Sequence, residues 1–354
     1  MMLALTIIVF IFIIGLLIFV HEWGHFLVAK KSGVKVEEFA FGFPPRLFSW
    51  KRGETRYAIN AIPLGGYVKM LGEEENVKEP GSYFTKPVLT RALIVVAGVF
   101  MNFVLAIVLM TIGFSIGMTP IVSDPATLSG QKNSQVMVVF VSPDSPAQKA
   151  GIVRGNILSG FSSPEDLQKF TREHTGQEVD LVVKDSRNSK PIKTKLSDNK
   201  DTPLGVGVVT VTTVKQPVWQ ALITSITETG KAIGTIFVFL GTVIKSIFST
   251  GSVGPAGEGV VGPVGLFNFT SEALKLGWIY VLQLVAILSI NLGLINILPF
   301  PALDGGKILF ITLEGFFRRK VVRAEIENII HLVGFALLIL LLIAITYRDI
   351  TKWF

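Results

Sequence analysis

The chain has 354 residues, half of them hydrophobic, with 33 lysines and arginines against 26 acidic residues and a positive mean hydropathy. That mean is too apolar for an ordinary soluble protein, and the basic residues gather in loops between apolar runs, which reads as membrane orientation, not nucleic-acid binding. The chain has no cysteine, which excludes disulfides and thiolate metal sites.

A charge-free run from Met1 to Val20 leads into His21-Glu22-Trp23-Gly24-His25. About 20 apolar residues span a bilayer as a helix, so a first span is expected over roughly Met2 to Val28. It lacks a basic leader and a small-residue cleavage site, and is read as retained. Alternating, aromatic-rich pieces follow at Glu38 to Phe43 and Tyr57 to Met70, punctuated by Gly42, Pro44 and Pro45 and by Pro63, Gly65 and Gly66. They predict short strands or a hairpin dipping into the membrane, where non-helical backbone must be covered by protein or line a wet cavity. A second span lies within Ala92 to Met118.

From about Gln135 to Val211 the composition becomes soluble. Strand-like runs (Val136 to Val141, Val179 to Val183, Ile192 to Leu196, Gly205 to Val211) flank a helical stretch near Glu165 to Glu173, predicting a small α+β domain. Pro217 then opens an apolar-rich helix reaching about Ser249. Its Thr224, Glu228, Lys231, Thr235, Thr242, Lys245 and Ser249 form a polar stripe, so a helix lying in the outer interface is preferred to a fifth span. Gly251 to Gly265 reads as a loop. The third and fourth spans lie within Leu276 to Leu298 and from about Ile329 to Tyr347. Gly98, Asn102, Gly113, Asn291, Gly293, Asn296 and Gly334 suit close helix packing and interhelical hydrogen bonds.

Lys30, Lys31, Lys35, Arg46, Lys51, Arg52, Arg56 and Lys69 lie between the first two spans, and Lys307, Arg318, Arg319, Lys320 and Arg323 between the last two. Both loops are therefore expected in the cytoplasm. The reading is an α-helical membrane protein with four transmembrane helices, a membrane-associated β hairpin and an inserted small α+β domain. Residues 1–118 and 266–354 form the two halves of the membrane core, 119–212 the soluble domain and 213–265 the interfacial helix and glycine-rich loop. Both termini and the soluble domain fall outside, with the histidine motif at the cytoplasmic end of the first span.

Two histidines four apart share a helix face and can reach one metal ion, with the intervening glutamate beside the water it activates. A hydrolytic zinc site needs three protein ligands and an open position. His21 and His25 supply two. His174 reads as a surface residue of the soluble domain and His331 as an interfacial or packing residue. Asp304, which ends the segment Asn296-Ile297-Leu298-Pro299-Phe300-Pro301-Ala302-Leu303-Asp304 at the depth of His25, is the better third ligand. Glu22 is the expected general base.

These blocks, with Pro63-Leu64-Gly65-Gly66-Tyr67-Val68-Lys69-Met70, resemble the site-2 protease family of intramembrane zinc metalloproteases over nearly the whole chain, in the family's order of spans. The bacterial branch that carries a PDZ domain and cleaves anti-sigma factors is the most similar. The resemblance implies one zinc per chain on His21, His25 and Asp304, and Glu22 as catalytic residue. It implies substrate contacts at Asn296, a cleft shaped by Pro299 and Pro301, and a re-entrant hairpin offering the Gly42 region and Gly65-Gly66 to an extended substrate. The implied partners are transmembrane protein or peptide substrates and the lipid bilayer. Ser145-Pro146-Ala147, Ala150-Gly151-Ile152 and Gly155-Asn156-Ile157 are similar to a circularly permuted bacterial PDZ domain, whose ligand would be a peptide. Asn156 stands where the usual residue is aspartate, and one such domain is present where the best-known members have two. The alternative from a different class is a catalytically silent PDZ-bearing scaffold. Zinc content would separate the two.

Overall fold

The computed structural model describes residues 2–73, 79–185, 188–199, 201–250, 261–319 and 322–353. The glycine-rich loop is outside the described residues from 251 to 260, as is Lys320. Two compact units emerge, one from residues 1–109, 229–270 and 284–354, the other from 110–228 and 271–283.

In the first unit, helix α1 (Met2–Lys31) carries the apolar run and the histidine motif on one continuous helix. It ends at Gly33, in the left-handed region at φ +67°. Val34 N–H donates to the Ala29 carbonyl and Gly33 N–H to that of Lys30. This is the paired-bond helix stop that only glycine adopts without strain.

Strands β1 (Val36–Arg52) and β2 (Thr55–Met70) follow. They are longer than the short strands expected, and the pairing is richer than a hairpin. Phe39 pairs with both Tyr57 and Val68, and Ala40 with both Ala58 and Tyr67. Residues 36–41 are thus flanked on one side by 55–59 and on the other by 66–70, while 46–52 pairs with 55–60. Bulges between Phe41 and Phe48 let the chain turn this corner through Pro44-Pro45. The curled sheet has two edges, at 46–52 and at 66–70.

Helix α2 (Val88–Ile116) packs against α1. A Cβ on Gly24 would lie 2.7 Å from the Ala97 carbonyl carbon and 2.9 Å from Met101 Cγ, so only glycine permits this approach. Later in the chain come α7 (Trp278–Ile297), α8 (Asp304–Phe317) and α9 (Ala324–Trp353). Ser289 Oγ on α7 donates to the Asn102 carbonyl on α2 at 2.7 Å. Arg91 on α2 forks onto Glu314 of α8 at 2.6 and 3.0 Å. Helix α8 was read as loop; its Gly305-Gly306 opening and the basic residues after it hide a 14-residue helix.

In the second unit a five-stranded antiparallel sheet has the order β6-β5-β4-β3-β7, from β3 (Gln131–Val141), β4 (Ile157–Ser159), β5 (Glu178–Lys184), β6 (Ser189–Lys195) and β7 (Val206–Lys215). Helices α3 (Pro146–Lys149) and α4 (Pro164–Glu173) join it. Strict alternation buries Val179, Leu181 and Val183 of β5 with Val136, Leu158 and Leu167 in one core. The four predicted strands and the helix are present; α3 and β4 are additional.

Among the described residues five helices are long and apolar enough to cross a membrane, not four. The fifth is α5 (Val218–Thr250), the helix expected to lie in the interface. Thr224, Ser225, Glu228 and Thr229 are buried, while Leu222, Ile223 and Ile226 are exposed. Buried Glu228 accepts from the backbone N–H groups of Ile121 and Val122 at 3.0 Å and from Ser123 Oγ. Over this first stretch polar inside and apolar outside is the reverse of a helix on a soluble surface, whereas Lys231, Thr235, Thr242, Lys245 and Ser249 further along the stripe are exposed. Helix α6 (Pro263–Leu276) begins where the glycine-rich loop was expected to continue. Its first turn is held by buried Asp349 of α9, which accepts from Gly262 and Gly265 N–H at 2.9 Å.

Candidate metal centre

Helix α1 sets His21 above His25 by one turn, both buried, with their Nε2 atoms 3.2 Å apart. Asp304 opens α8, where a carboxylate suits the helix N-terminus. Its Oδ2 lies 3.0 Å from His21 Nε2 and 3.3 Å from His25 Nε2. That oxygen is buried and finds no donor in hydrogen-bond geometry. The three atoms form a near-equilateral triangle of nitrogen, nitrogen and oxygen. A tetrahedral ion with bonds of about 2.0–2.1 Å separates its ligands by about 3.3 Å, so the donor set fits zinc in chemistry and in spacing. Burial alone would raise the Asp304 carboxyl, but the His25 and His21 rings beside it hold it well below the usual carboxylate range.

The loop that delivers Asp304 is built for that purpose. A Cβ on Gly305 would lie 2.5 Å from the Ile297 carbonyl carbon, and one on Gly306 2.6 Å from the Phe300 oxygen. Both glycines are therefore steric requirements of the turn. Pro301 presses on Gly334 of α9, where a Cβ would stand 2.5 Å from the Pro301 Cβ. Pro299 lies in the bend after α7. His331 is not a ligand: its Nδ1 accepts from Ala302 N–H at 2.9 Å, holding the left-handed Ala302 two residues before Asp304.

Glu22 lies on α1 between the two ligands-to-be. Among the described residues no lysine or arginine nitrogen lies within ion-pair distance of it. Its Cγ would be 3.1 Å from a Cβ on Gly66, so β2 passes directly over the glutamate. Gly65, beside the Phe43 ring, and Gly42, at φ +85° with a Cβ that would stand 2.8 Å from the Ile62 oxygen, shape the same sheet. Asn296, at the end of α7, brings its Nδ2 to 3.4 Å from His21 Nε2. Lys307, one turn after Asp304, pairs with Glu73 at 2.6 Å, and that carboxylate holds the ammonium above its ordinary range. His174 bonds the Phe170 carbonyl at 2.8 Å within its own domain.

Two residues were read only as packing groups. Gly98 of α2 faces the triangle: a Cβ there would strike His25 Nε2 and lie 2.9 Å from His21 Cε1. Asn102, one turn on and fully buried, places its Nδ2 3.1 Å from His21 Nδ1. Their four-residue spacing on a helix was the available signal.

The profile of peptidase family M50 matches residues 9–341. A protein of Clostridium perfringens, provisionally described as a zinc metalloprotease, is 35% identical over 341 residues, covering 94% of this chain and 95% of its own. The zinc metalloprotease RasP of Oceanobacillus iheyensis is 29% identical, with 99% of both chains covered. That alignment runs to 443 positions against 354 residues here, so RasP carries segments this chain lacks. A Fusobacterium nucleatum protein, again provisionally described as a zinc metalloprotease, is 31% identical over 357 residues, covering 99% of this chain and all of its own.

Proposed function

Since the chain belongs to peptidase family M50, the site-2 protease family its motifs resemble, we propose that it is a zinc-dependent endopeptidase that cuts transmembrane segments of other proteins. The carrying observation is the His21, His25 and Asp304 triangle beside Glu22 on a helix long and apolar enough to span a bilayer. The relatives' descriptions as zinc metalloproteases support the metal. The protein is a multi-pass membrane metalloprotease. The anti-sigma factors and remnant signal peptides acted on in regulated intramembrane proteolysis are the substrate classes we favour.

In this reading His21, His25 and Asp304 hold zinc and Glu22 is the base. A transmembrane helix cannot be cut while its carbonyls are bonded internally, and unpaired backbone in a dry setting costs several kcal/mol per group. The edge of β2 at 66–70, next to Glu22, suits an added strand. Asn296, with donor and acceptor on one amide, suits freed substrate backbone, and Gly42, Gly65, Gly66, Pro299 and Pro301 shape the cleft. A substrate span with glycine or proline near the cut should therefore be cleaved faster than its leucine counterpart, with the cut mapped inside the span by mass spectrometry. Equal rates, or cuts only in loops, would refute this reading.

We further propose that the five-stranded domain is PDZ-like and extracytoplasmic, as the positive-inside rule implies. Lys51→Cys should resist an impermeant thiol reagent in intact cells and His174→Cys should react. The opposite pattern inverts the topology.

A further inference from the structure

The first unit holds a cavity of about 1020 Å³, walled by the end of β2 with the turn after it, by α8 and by α9. Its volume stands at the top of the range for ligand sites, about 300–1,000 Å³. Two features set it beside the candidate metal centre. Tyr67, the first β2 residue in the wall, follows Gly66, the residue lying over Glu22. Ala302, also in the wall, stands two residues before Asp304 and donates its N–H to His331, another lining residue. From there the strand leads in one direction. Gly66 lies against Glu22, whereas Val68 and Met70 are buried in one cluster with Phe26, Ala29 and Val34. Between Gly66 and Met70, β2 thus follows α1 from the level of the histidines toward its C-terminal end, the cytoplasmic side by the positive-inside rule.

Two ion pairs brace the cavity. Lys307 of α8 meets Glu73, past the end of β2, at 2.6 Å, and Arg91 of α2 forks onto Glu314 of α8 at 2.6 and 3.0 Å; all four side chains line it. Phe310, Leu332 and Phe335 add large apolar surface, and Asn328 adds an amide. An unwound piece of a membrane span needs both kinds of neighbour, hydrogen-bonding groups for its freed backbone and apolar cover for its side chains. We propose that this cavity receives, in extended form, the flank of the substrate on the cytoplasmic side of the cut. The substrate strand continues along residues 67–72 past the metal centre, and α9 supplies part of the wall around it. Strands pair residue against residue, so the cavity takes about six substrate residues. The assignment rests on the protease reading above and adds the last helix to the substrate site.

The test uses the full chain, which has no cysteine of its own. Asn328→Cys and Leu332→Cys on α9, and Lys69→Cys on β2, are each combined with Glu22→Gln so that bound substrate stays uncut. In membrane vesicles a short bismaleimide joins each to a reporter span of known orientation, which carries one cysteine at successive positions on either side of the mapped cut. The α9 cysteines should form adducts, read as a gel shift, with positions about one to six residues from the cut on the cytoplasmic side, and none on the other side. Adducts with the other flank only, or at Lys69→Cys but at neither α9 position, overturn the assignment and leave the cavity to lipid or water. Adducts nowhere overturn it together with strand addition to β2. In a second arm Leu332→Trp narrows the cavity of an otherwise active chain. It should raise KM for a reporter with a full cytoplasmic flank and leave unchanged the KM for one whose flank ends just after the cut, with zinc content unaltered. An equal rise for both reporters, or no rise for either, overturns the assignment. A parent that cuts no span overturns the metalloprotease reading and this assignment with it, whereas a parent that cuts normally without α9 adducts overturns this assignment alone.

Discussion

Glu22→Gln is expected to reduce cleavage of a membrane-embedded substrate by about 10²–10⁴-fold, the usual contribution of a positioned acid–base group, while the protein keeps its zinc and its fold. Zinc, when bound, lowers the pKa of water toward about 7 and polarises the scissile carbonyl. What the chain must add is an acceptor for the proton and a way to hold it near the leaving amine. Glu22 has the geometry for both. It shares a helix with His21 and His25, and β2 closes over it at Gly66. Glutamine keeps the volume and loses the basicity. Cleavage of a reporter span in reconstituted vesicles, with zinc counted by atomic absorption, checks both halves. Full turnover by the variant eliminates Glu22 as the base.

Asp304→Ala should remove the metal itself. Only two ligands would remain, and two imidazoles 3.2 Å apart on one helix do not by themselves make a closed hydrolytic site. Zinc affinity should fall by more than the 10–100-fold typical of a supporting partner, and cleavage should vanish with it. The fold should survive, because α8 stays tied to α2 by the Arg91–Glu314 fork and to the rest of its unit by the Lys307–Glu73 pair. Stoichiometric zinc in Asp304→Ala under the same chelator would remove Asp304 from the ligand set.

The cluster of His21, His25 and Asp304 was legible because the signals that flag it are local or strongly periodic. A charge-free run marks a span, and two histidines at a spacing of four mark a shared helix face. What was hidden is what depends on distant partners. The double pairing of Phe39 and Ala40 is a long-range register that alternation along one strand cannot encode. His331 looked like an interfacial residue, because its bond to Ala302 joins positions 29 apart. Gly98 and Asn102 looked like packing residues, and they do pack, but against the His21 and His25 rings. The polar stripe of α5 was seen correctly in sequence. Its direction is split, with Thr224 and Glu228 against protein and Lys231 to Ser249 exposed, and a stripe alone does not say which face a residue meets.

The ligand triangle also constrains how the chain is threaded. His25 lies against Ile94 and Gly98, and His21 against Asn102, so α2 runs back along α1 in the opposite direction. Asn296, near the end of α7, reaches His21 well before the end of α1, while Ser289 and Gly293 of α7 lie against Asn102 and Phe103 of α2. If α1, α2 and α7 all span and α7 runs parallel to α1, the chain between α2 and α7 crosses the bilayer an even number of times. Helix α6, with 14 residues and a length of about 21 Å, falls short of the roughly 30 Å hydrocarbon core, so if α5 crosses, α6 alone does not make the return.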